Sequence, residues 1–173
     1  MHRLSITVLL STTVLSSGCS KLFTDVTGSV DGNKLGEGTA YWGGPVLLIT
    51  DSDMDCDELS WVSDRQGGNS YQDGEDIGVD ESFSAIQFTY ESAAVQDGKL
   101  SIVGMPPSPA FAYFVVSDKG NIDMYKATSG TIEIETNKKE QVSGTFEVGF
   151  GDDGTMSGEF AVENCVNLKP RHN

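Results

Sequence analysis

The chain has 173 residues, a formal net charge of -15 and three cysteines. This length suits one domain with a real core, and an apolar fraction of 38% excludes an extensively disordered chain. The strong negative charge argues against nucleic acid as a partner, because phosphate backbones repel such a surface. The composition also excludes an architecture of many membrane spans.

The first 19 residues differ in composition from the rest of the chain. His2 and Arg3 give a short basic start, residues 4–15 are mostly apolar, and small residues follow. This order is typical of a secretory signal, and its apolar part is too short for a stable membrane span. The sequence Leu15-Ser16-Ser17-Gly18-Cys19 resembles the lipobox of bacterial lipoproteins, with Ser16 rather than leucine three places before the cysteine.

The resemblance implies that residues 1–18 are a cleaved signal peptide and that Cys19 is lipidated. The sulfur would carry a diacylglycerol and the new amino group an acyl chain such as palmitate, and two or more chains anchor a protein stably. The implied location is exported and membrane-anchored. Ser20 follows the cysteine instead of the aspartate that favours inner-membrane retention in enteric bacteria, so in a Gram-negative source we expect the outer membrane. An ordinary signal peptide with a chance cysteine is the alternative.

The segment after Cys19 is short. We predict that residues 19–23 form the lipidated end and tether, residues 24–168 a single all-β domain, and residues 169–173 a C-terminal tail. A fully extended tether from Cys19 to Thr24 reaches less than roughly 20 Å. We therefore expect the domain to work close to the membrane surface.

The rest of the chain alternates short strand patterns with turns rich in Gly, Asp and Asn, and lacks an amphipathic helical period of ordinary length. We expect a mostly antiparallel sandwich or barrel of roughly eight strands with mainly meander connections. One run, Phe111 to Val116, is continuously apolar, as in a strand buried on both faces. The predicted strand spans are Thr24–Val30, Gly38–Trp42, Pro45–Thr50, Ala85–Glu91, Lys99–Val103, Phe111–Val116, Ile122–Glu135, Val142–Phe150 and Met156–Glu163.

The cysteine count predicts a disulfide. With Cys19 lipidated, Cys56 and Cys165 remain, and an even pair in an oxidising compartment is typical of a disulfide bond. Two free thiols or a metal site are the alternatives. The loop enclosed is about 110 residues, for which the chain-entropy estimate is about 4–5 kcal/mol. Strict alternation would turn Cys165 away from Phe160, so we expect a bulge or a strand end near Asn164; we also predict a short helical turn in residues 56–62.

A run of acidic residues is the strongest candidate for a metal site. Carboxylates at alternate positions suit Ca²⁺, which takes six to eight oxygen ligands. The run starts like an EF-hand loop but has Cys56 where that loop has glycine and Val62 where it has glutamate. We therefore weigh a loose calcium loop against a solvated acidic loop and favour the solvated loop. The candidate calcium ligands are Asp51, Asp53, Asp55 and Asp57.

The sequence gives little support for an enzyme. After the signal segment the only histidine is His172, two residues from the end, where a positioned imidazole is rare. The aromatic residues Tyr41, Trp42, Trp61 and Tyr71 suggest a binding platform, although core filling is the favoured interpretation. We expect a binding or structural role on a neighbouring envelope protein or glycan. The alternative from another class is a carboxylate-dependent envelope hydrolase.

Overall fold

The computed structural model describes residues 24–51, 82–92, 97–105, 107–119, 121–138 and 141–165. These residues form ten β-strands and one short 3-10 turn, η1, at Gly151–Asp153. The all-β class expected from the sequence is therefore confirmed. The strands are β1 (Thr24–Val30), β2 (Thr39–Gly43), β3 (Val46–Thr50), β4 (Phe83–Tyr90), β5 (Gly98–Val103), β6 (Ala110–Asp118), β7 (Asn121–Lys126), β8 (Ser129–Lys138), β9 (Gln141–Gly149) and β10 (Gly154–Asn164).

All ten strands belong to one sheet, and eight of them form a nearly closed barrel. The ring runs β10-β2-β3-β4-β6-β5-β8-β9 and returns to β10 through its pairing with β9. β1 and β7 lie outside this ring, on β10 and β6 respectively. Eight strands enclose an interior about wide enough for side chains to fill it.

The core fills the barrel. Phe88 and Phe114 are fully buried, and the Phe88 ring centroid lies 5.1 Å from that of Phe146. Phe114 also makes an edge contact with Phe150 at 6.4 Å between centroids. Each strand of the ring sends alternate side chains inward, as a period of two requires. The barrel is therefore a packed core within the described residues.

At two places the neighbouring strands of the ring are parallel and are joined by only one or two residue pairs. β10 meets β2 through the pairs Glu163–Tyr41 and Asn164–Trp42, and β5 meets β6 only through Ile102–Ala110. The remaining pairs are antiparallel and longer; β9 and β10, for example, pair over nine residues. The expectation that consecutive strands pair antiparallel thus fails at β5 and β6, and among the described strands it also fails for β1 and β2, β4 and β5, and β7 and β8, which are not neighbours in the sheet. For β5 and β6 the reason is that β6 returns to lie against β4 along its length.

The long predicted strand from Ile122 to Glu135 is in fact two strands. The chain leaves β6 at Lys126, and the Ala127 N–H donates to the Ala112 carbonyl at 2.9 Å. The Thr128 N–H then donates to the Gly149 carbonyl at 2.8 Å, and β8 continues along β5 and β9. A change of neighbouring strands, rather than a turn, divides the segment.

The predicted strand end before Cys165 is present. β10 ends at Asn164, and Cys165 is buried, with 1% of its surface exposed. Its N–H donates to the Trp42 carbonyl at 2.7 Å. The helical turn expected in residues 56–62 lies outside the described residues.

Candidate ligand-binding groove

Five neighbouring strands present a polar face to solvent. Strands β5, β8, β9, β10 and β1 are consecutive across this part of the sheet. Their inward positions carry Ile132, Phe146 and Met156, which are buried in the core. Because successive side chains of a strand point to opposite faces, the residues between these positions point outward. The alternation of the sequence therefore produces an apolar inner wall and a hydrophilic outer wall.

The register aligns the outward residues in two rows across the strands. The first row is Lys99, Glu133, Thr145, Glu159 and Asp25, in the order of the strands. Neighbouring strands are about 4.7–4.9 Å apart, so this row extends for about 19 Å.

The second row lies two residues along each strand from the first. It contains Ser101, Thr131, Glu147, Ser157 and Thr27. The Thr27 and Ser157 hydroxyls are 3.1 Å apart and hydrogen-bonded. The two rows together form a surface of hydroxyl and carboxylate groups.

A groove of about 430 Å³ runs between these rows. Phe146, whose side chain is buried in the core, and Gly158 lie between the two rows. A methyl group at Gly158 would meet the Asp25 carbonyl oxygen and the Phe146 ring. We call this site the acidic groove; its lining is Asp25, Thr27, Lys99, Thr131, Glu133, Thr145, Phe146, Glu147, Ser157, Gly158 and Glu159.

The electrostatics of the acidic groove are strongly negative. Four carboxylates line it, whereas Lys99 is its one basic side chain. Asp25 and Glu159 are directly opposite on antiparallel strands, which places their Cα atoms about 4.5–5.5 Å apart. Like charges in this position destabilise the pair. A positively charged group bound in the groove would relieve this repulsion.

Most of the site residues predicted from the sequence lie outside the described residues. Asp51 is the one candidate calcium ligand that is described, and its carboxylate accepts the Ser84 N–H at 2.7 Å. This contact ties the end of β3 to the start of β4. Within the described part of the chain, no group of three or more His, Cys, Asp or Glu side chains is arranged to hold a metal ion. Asp53, Asp55 and Asp57 are not described, so the calcium loop stays a prediction.

One member of the predicted disulfide is described. Cys165 is disulfide-bonded, whereas Cys19 and Cys56 both lie outside the described ranges. The pairing with Cys56 and the lipidation of Cys19 therefore stay predictions.

The aromatic residues divide between the two sides of the barrel wall. Trp42 is partly buried and packs against the core, as the favoured interpretation required. Its neighbour Tyr41 is partly exposed on the other face of β2. Trp61 and Tyr71 lie outside the described residues. Sequence reasoning did not identify the acidic groove, because its lining comes from five strands spread between residues 25 and 159.

Comparison with known proteins gives no family for this chain: no family model, no curated protein and no solved structure matches it. Along the described ranges, none of the elements is a helix long and apolar enough to cross a membrane.

Proposed function

We propose that this chain is an exported lipoprotein whose barrel binds a basic segment of a neighbouring envelope protein in the acidic groove. The observation that carries the proposal is the acidic groove itself. It combines four carboxylates and a set of hydroxyl groups on one outer face of the sheet. Complementary charge on the partner would speed the encounter and fix its orientation.

The size of the groove favours a segment of a polypeptide over a single ion. A row of about 19 Å matches an extended segment of about six residues at 3.3 Å per residue. Lysine and arginine side chains from such a segment reach the carboxylates. The hydroxyls of Thr131 and Thr145 accept or donate hydrogen bonds along the same path.

The N-terminal sequence supports the cellular context of the proposal. The motif that ends at Cys19 resembles a lipobox, and the predicted tether of residues 19–23 keeps the domain near the bilayer. In a Gram-negative source the expected place is the outer membrane. A partner in the same membrane system would then meet the groove at a high local concentration.

A titration with a fluorescent peptide tests the function. The probe is a ten-residue peptide of alternating Lys and Ser, and fluorescence anisotropy measures its dissociation constant at low and at physiological salt. The triple variant Glu133→Gln, Glu147→Gln, Glu159→Gln removes three groove charges. We expect it to weaken binding by at least tenfold, because each lost contact involves a charged hydrogen bond.

A matched control separates the groove from the overall charge. The variant Glu37→Gln, Glu91→Gln, Asp152→Asn removes the same number of charges at exposed positions outside the groove. We expect its dissociation constant to stay within twofold of the original. Equal weakening in both variants, or no binding by the original chain, would contradict the proposal. Turnover of a cell-wall oligosaccharide that is lost in the groove variant would support the hydrolase alternative instead.

A further inference from the structure

One edge of β1 has no partner strand among the described residues. β1 lies outside the ring and pairs with β10 alone in this part of the chain. The Asp31 N–H continues that ladder by donating to the Asp153 carbonyl at 2.7 Å. Val30 instead exchanges two hydrogen bonds of 2.9 Å with Asn33, across the turn that follows β1. Val30 therefore directs its N–H and C=O away from β10, to what we call the free edge of β1.

The backbone direction alternates along a strand and extends this assignment to the rest of β1. In an antiparallel ladder, hydrogen-bonded and non-hydrogen-bonded residue pairs alternate. Thr27 therefore directs its N–H and C=O to β10, whereas Val26 and Gly28 direct theirs to the free edge, as Val30 does. Within the described ranges, no backbone hydrogen bond joins Val26 or Gly28 to a residue on that side. Gly28 is also exposed, and without a side chain its exposed surface is backbone.

The free edge lacks the usual features that prevent another strand from pairing. Natural edge strands are protected by lysine, proline, a bulge or a covering segment. β1 contains neither lysine nor proline, and its register with β10 is unbroken. The bridge between Val30 and Asn33 is isolated, and by Gly36 the chain lies close to Asp51, just after β3. The edge from Thr24 to Gly28 is therefore open over about 13 Å.

The side chains of β1 indicate what kind of strand would fit beside it. Val26 faces inward and packs against the core, whereas Asp25 and Thr27 point outward and line the acidic groove. Directly opposite residues on neighbouring strands share a face of the sheet. An added strand would thus place an apolar side chain opposite Val26 and a basic one opposite Asp25. A second copy of this chain is a poor occupant, because two chains of net charge -15 repel each other.

We propose that the free edge of β1 binds an extended segment of another protein, in which basic and apolar residues alternate, as an added antiparallel strand. The backbone groups of Val26 and Gly28 supply hydrogen bonds, and the alternate side chains of the segment supply specificity. This site is distinct from the acidic groove, where the bound segment crosses the strands. The inference does not rest on binding in the groove.

Peptides with methylated backbones test the proposal. The probe is a fluorescent peptide of sequence Lys-Val-Lys-Val-Lys, and anisotropy measures its dissociation constant with the full chain. Opposite Val26 and Gly28, the two valine N–H groups of the peptide face β1. N-methylation of both valines should weaken binding by about tenfold, because two backbone hydrogen bonds are lost. The matched control carries the two methyl groups on lysine nitrogens, which face away from β1, and should bind within twofold of the parent peptide.

Hydrogen exchange measured by NMR locates the bound peptide. In the free chain, the amides of Val26 and Gly28 should exchange faster than the amide of Thr27, which already bonds to β10. Saturating peptide should slow exchange at Val26 and Gly28 by about tenfold, through the new hydrogen bonds, and leave Thr27 within twofold. A peptide with glutamate in place of lysine should not bind.

Several results would overturn the proposal. Equal binding of both methylated peptides would show that the probe makes no backbone pairing with β1, as expected of a peptide held in the acidic groove alone. Stronger weakening by the lysine methyl groups would show the opposite backbone arrangement. Protection of Val26 and Gly28 in the absence of peptide, rising with protein concentration, would assign the free edge to a second copy of the chain.

Discussion

The two halves of the sheet have the same apolar inner face, but their outer faces differ in polarity and exposure. In β5, β8, β9, β10 and β1 the outward residues are polar, and several, such as Glu133 and Thr145, are exposed. In β3, β4 and β6 most outward residues are buried; they include Val46, Leu48 and Val115, each 1% exposed, and the polar residues Thr50, Gln87 and Ser117. The first half faces water on one side, and the second half is buried on both faces.

This difference explains why the two halves have different sequence patterns. A strand with one solvent-exposed face alternates polar and apolar residues, whereas a strand buried on both faces is mostly apolar along its length. The run Phe111 to Val116 was expected to be buried on both faces, and Phe114 and Val115 are indeed buried on opposite sides. The polar half also contains glycines that the other half lacks inside β3, β4 and β6. We expect this half to bend at those positions.

The largest effect should come from a charge placed on the buried outer face. Val115→Asp puts a carboxylate where 1% of the surface is exposed, and we expect a loss of more than about 4 kcal/mol in the free energy of unfolding. The matched change on the polar half is Thr155→Asp, at an exposed outward position of β10. It should cost about 1 kcal/mol or less. Urea unfolding of both variants measures the difference, and equal losses would show that the outer walls are not distinct.

An intermediate effect is expected at the glycines of the polar half. A methyl group at Gly144 would meet the Glu133 carbonyl oxygen and lie 3.1 Å from the Phe160 ring. Gly144→Ala should therefore cost about 1–3 kcal/mol, the range of overpacked core positions. At Gly36 the same methyl would make an ordinary contact of 3.6 Å with Asp51, so Gly36→Ala should change stability by less than about 0.5 kcal/mol. Thermal unfolding distinguishes the two, and a harmless Gly144→Ala would show that the strands are not closely apposed there.

The smallest effect concerns Tyr90, at the end of β4 in the apolar half. Its hydroxyl is buried and has no hydrogen-bond partner within the described part of the chain, and burial raises the pKa of this phenol. The unfolded phenol ionises near pH 10, so the contribution of Tyr90 to stability is complete below that pH and is lost as the pH rises toward the folded pKa. Tyr90→Phe should reduce this alkaline loss and, at pH 7, stabilise by up to about 1 kcal/mol.

Tyr125 provides the comparison for the alkaline experiment. Its pKa is raised first by the hydrogen bond that its hydroxyl donates to Asp31 at 3.0 Å. Tyr125→Phe removes a hydrogen bond at an exposed site, so we expect no gain in stability at pH 7. Guanidinium unfolding between pH 8 and pH 11 measures both variants. An unchanged pH profile in Tyr90→Phe would show that another group titrates.

Most of the fold could be predicted because the strands carry local signals. The span Thr24–Val30 matches β1 residue for residue, and β3 and β9 begin or end within one residue of the expected bounds. Pairing is harder to predict, because it depends on contacts between distant segments. Nothing in the local pattern indicates that β4 pairs with β6 and not with β5, the next strand in the chain. The end of β7 before Ala127 could not be predicted for the same reason, because the chain there changes the strands with which it pairs.

The acidic groove could not be predicted as a site, although the outward direction of its residues could. Glu133, Glu147 and Glu159 each alternate with core residues, so the sequence indicates that they face solvent. What brings them together is the register of β8 with β9 and of β9 with β10. The register follows from the joint fit of all the strands. A chain with 26 acidic residues offers too many combinations for the correct set to be chosen by inspection.

The position of β10 has a consequence for the order of events during synthesis. Among the described residues the last strand pairs with the first, and Thr27 and Ser157 meet across a separation of 130 residues. β10 is also the strand through which β9 and β2 close the ring. Growing chains therefore lack the strand that completes the barrel until β10, Gly154–Asn164, has been made. Such distant pairing slows folding, and it leaves a long interval of synthesis in which the unfinished polypeptide has no closed barrel.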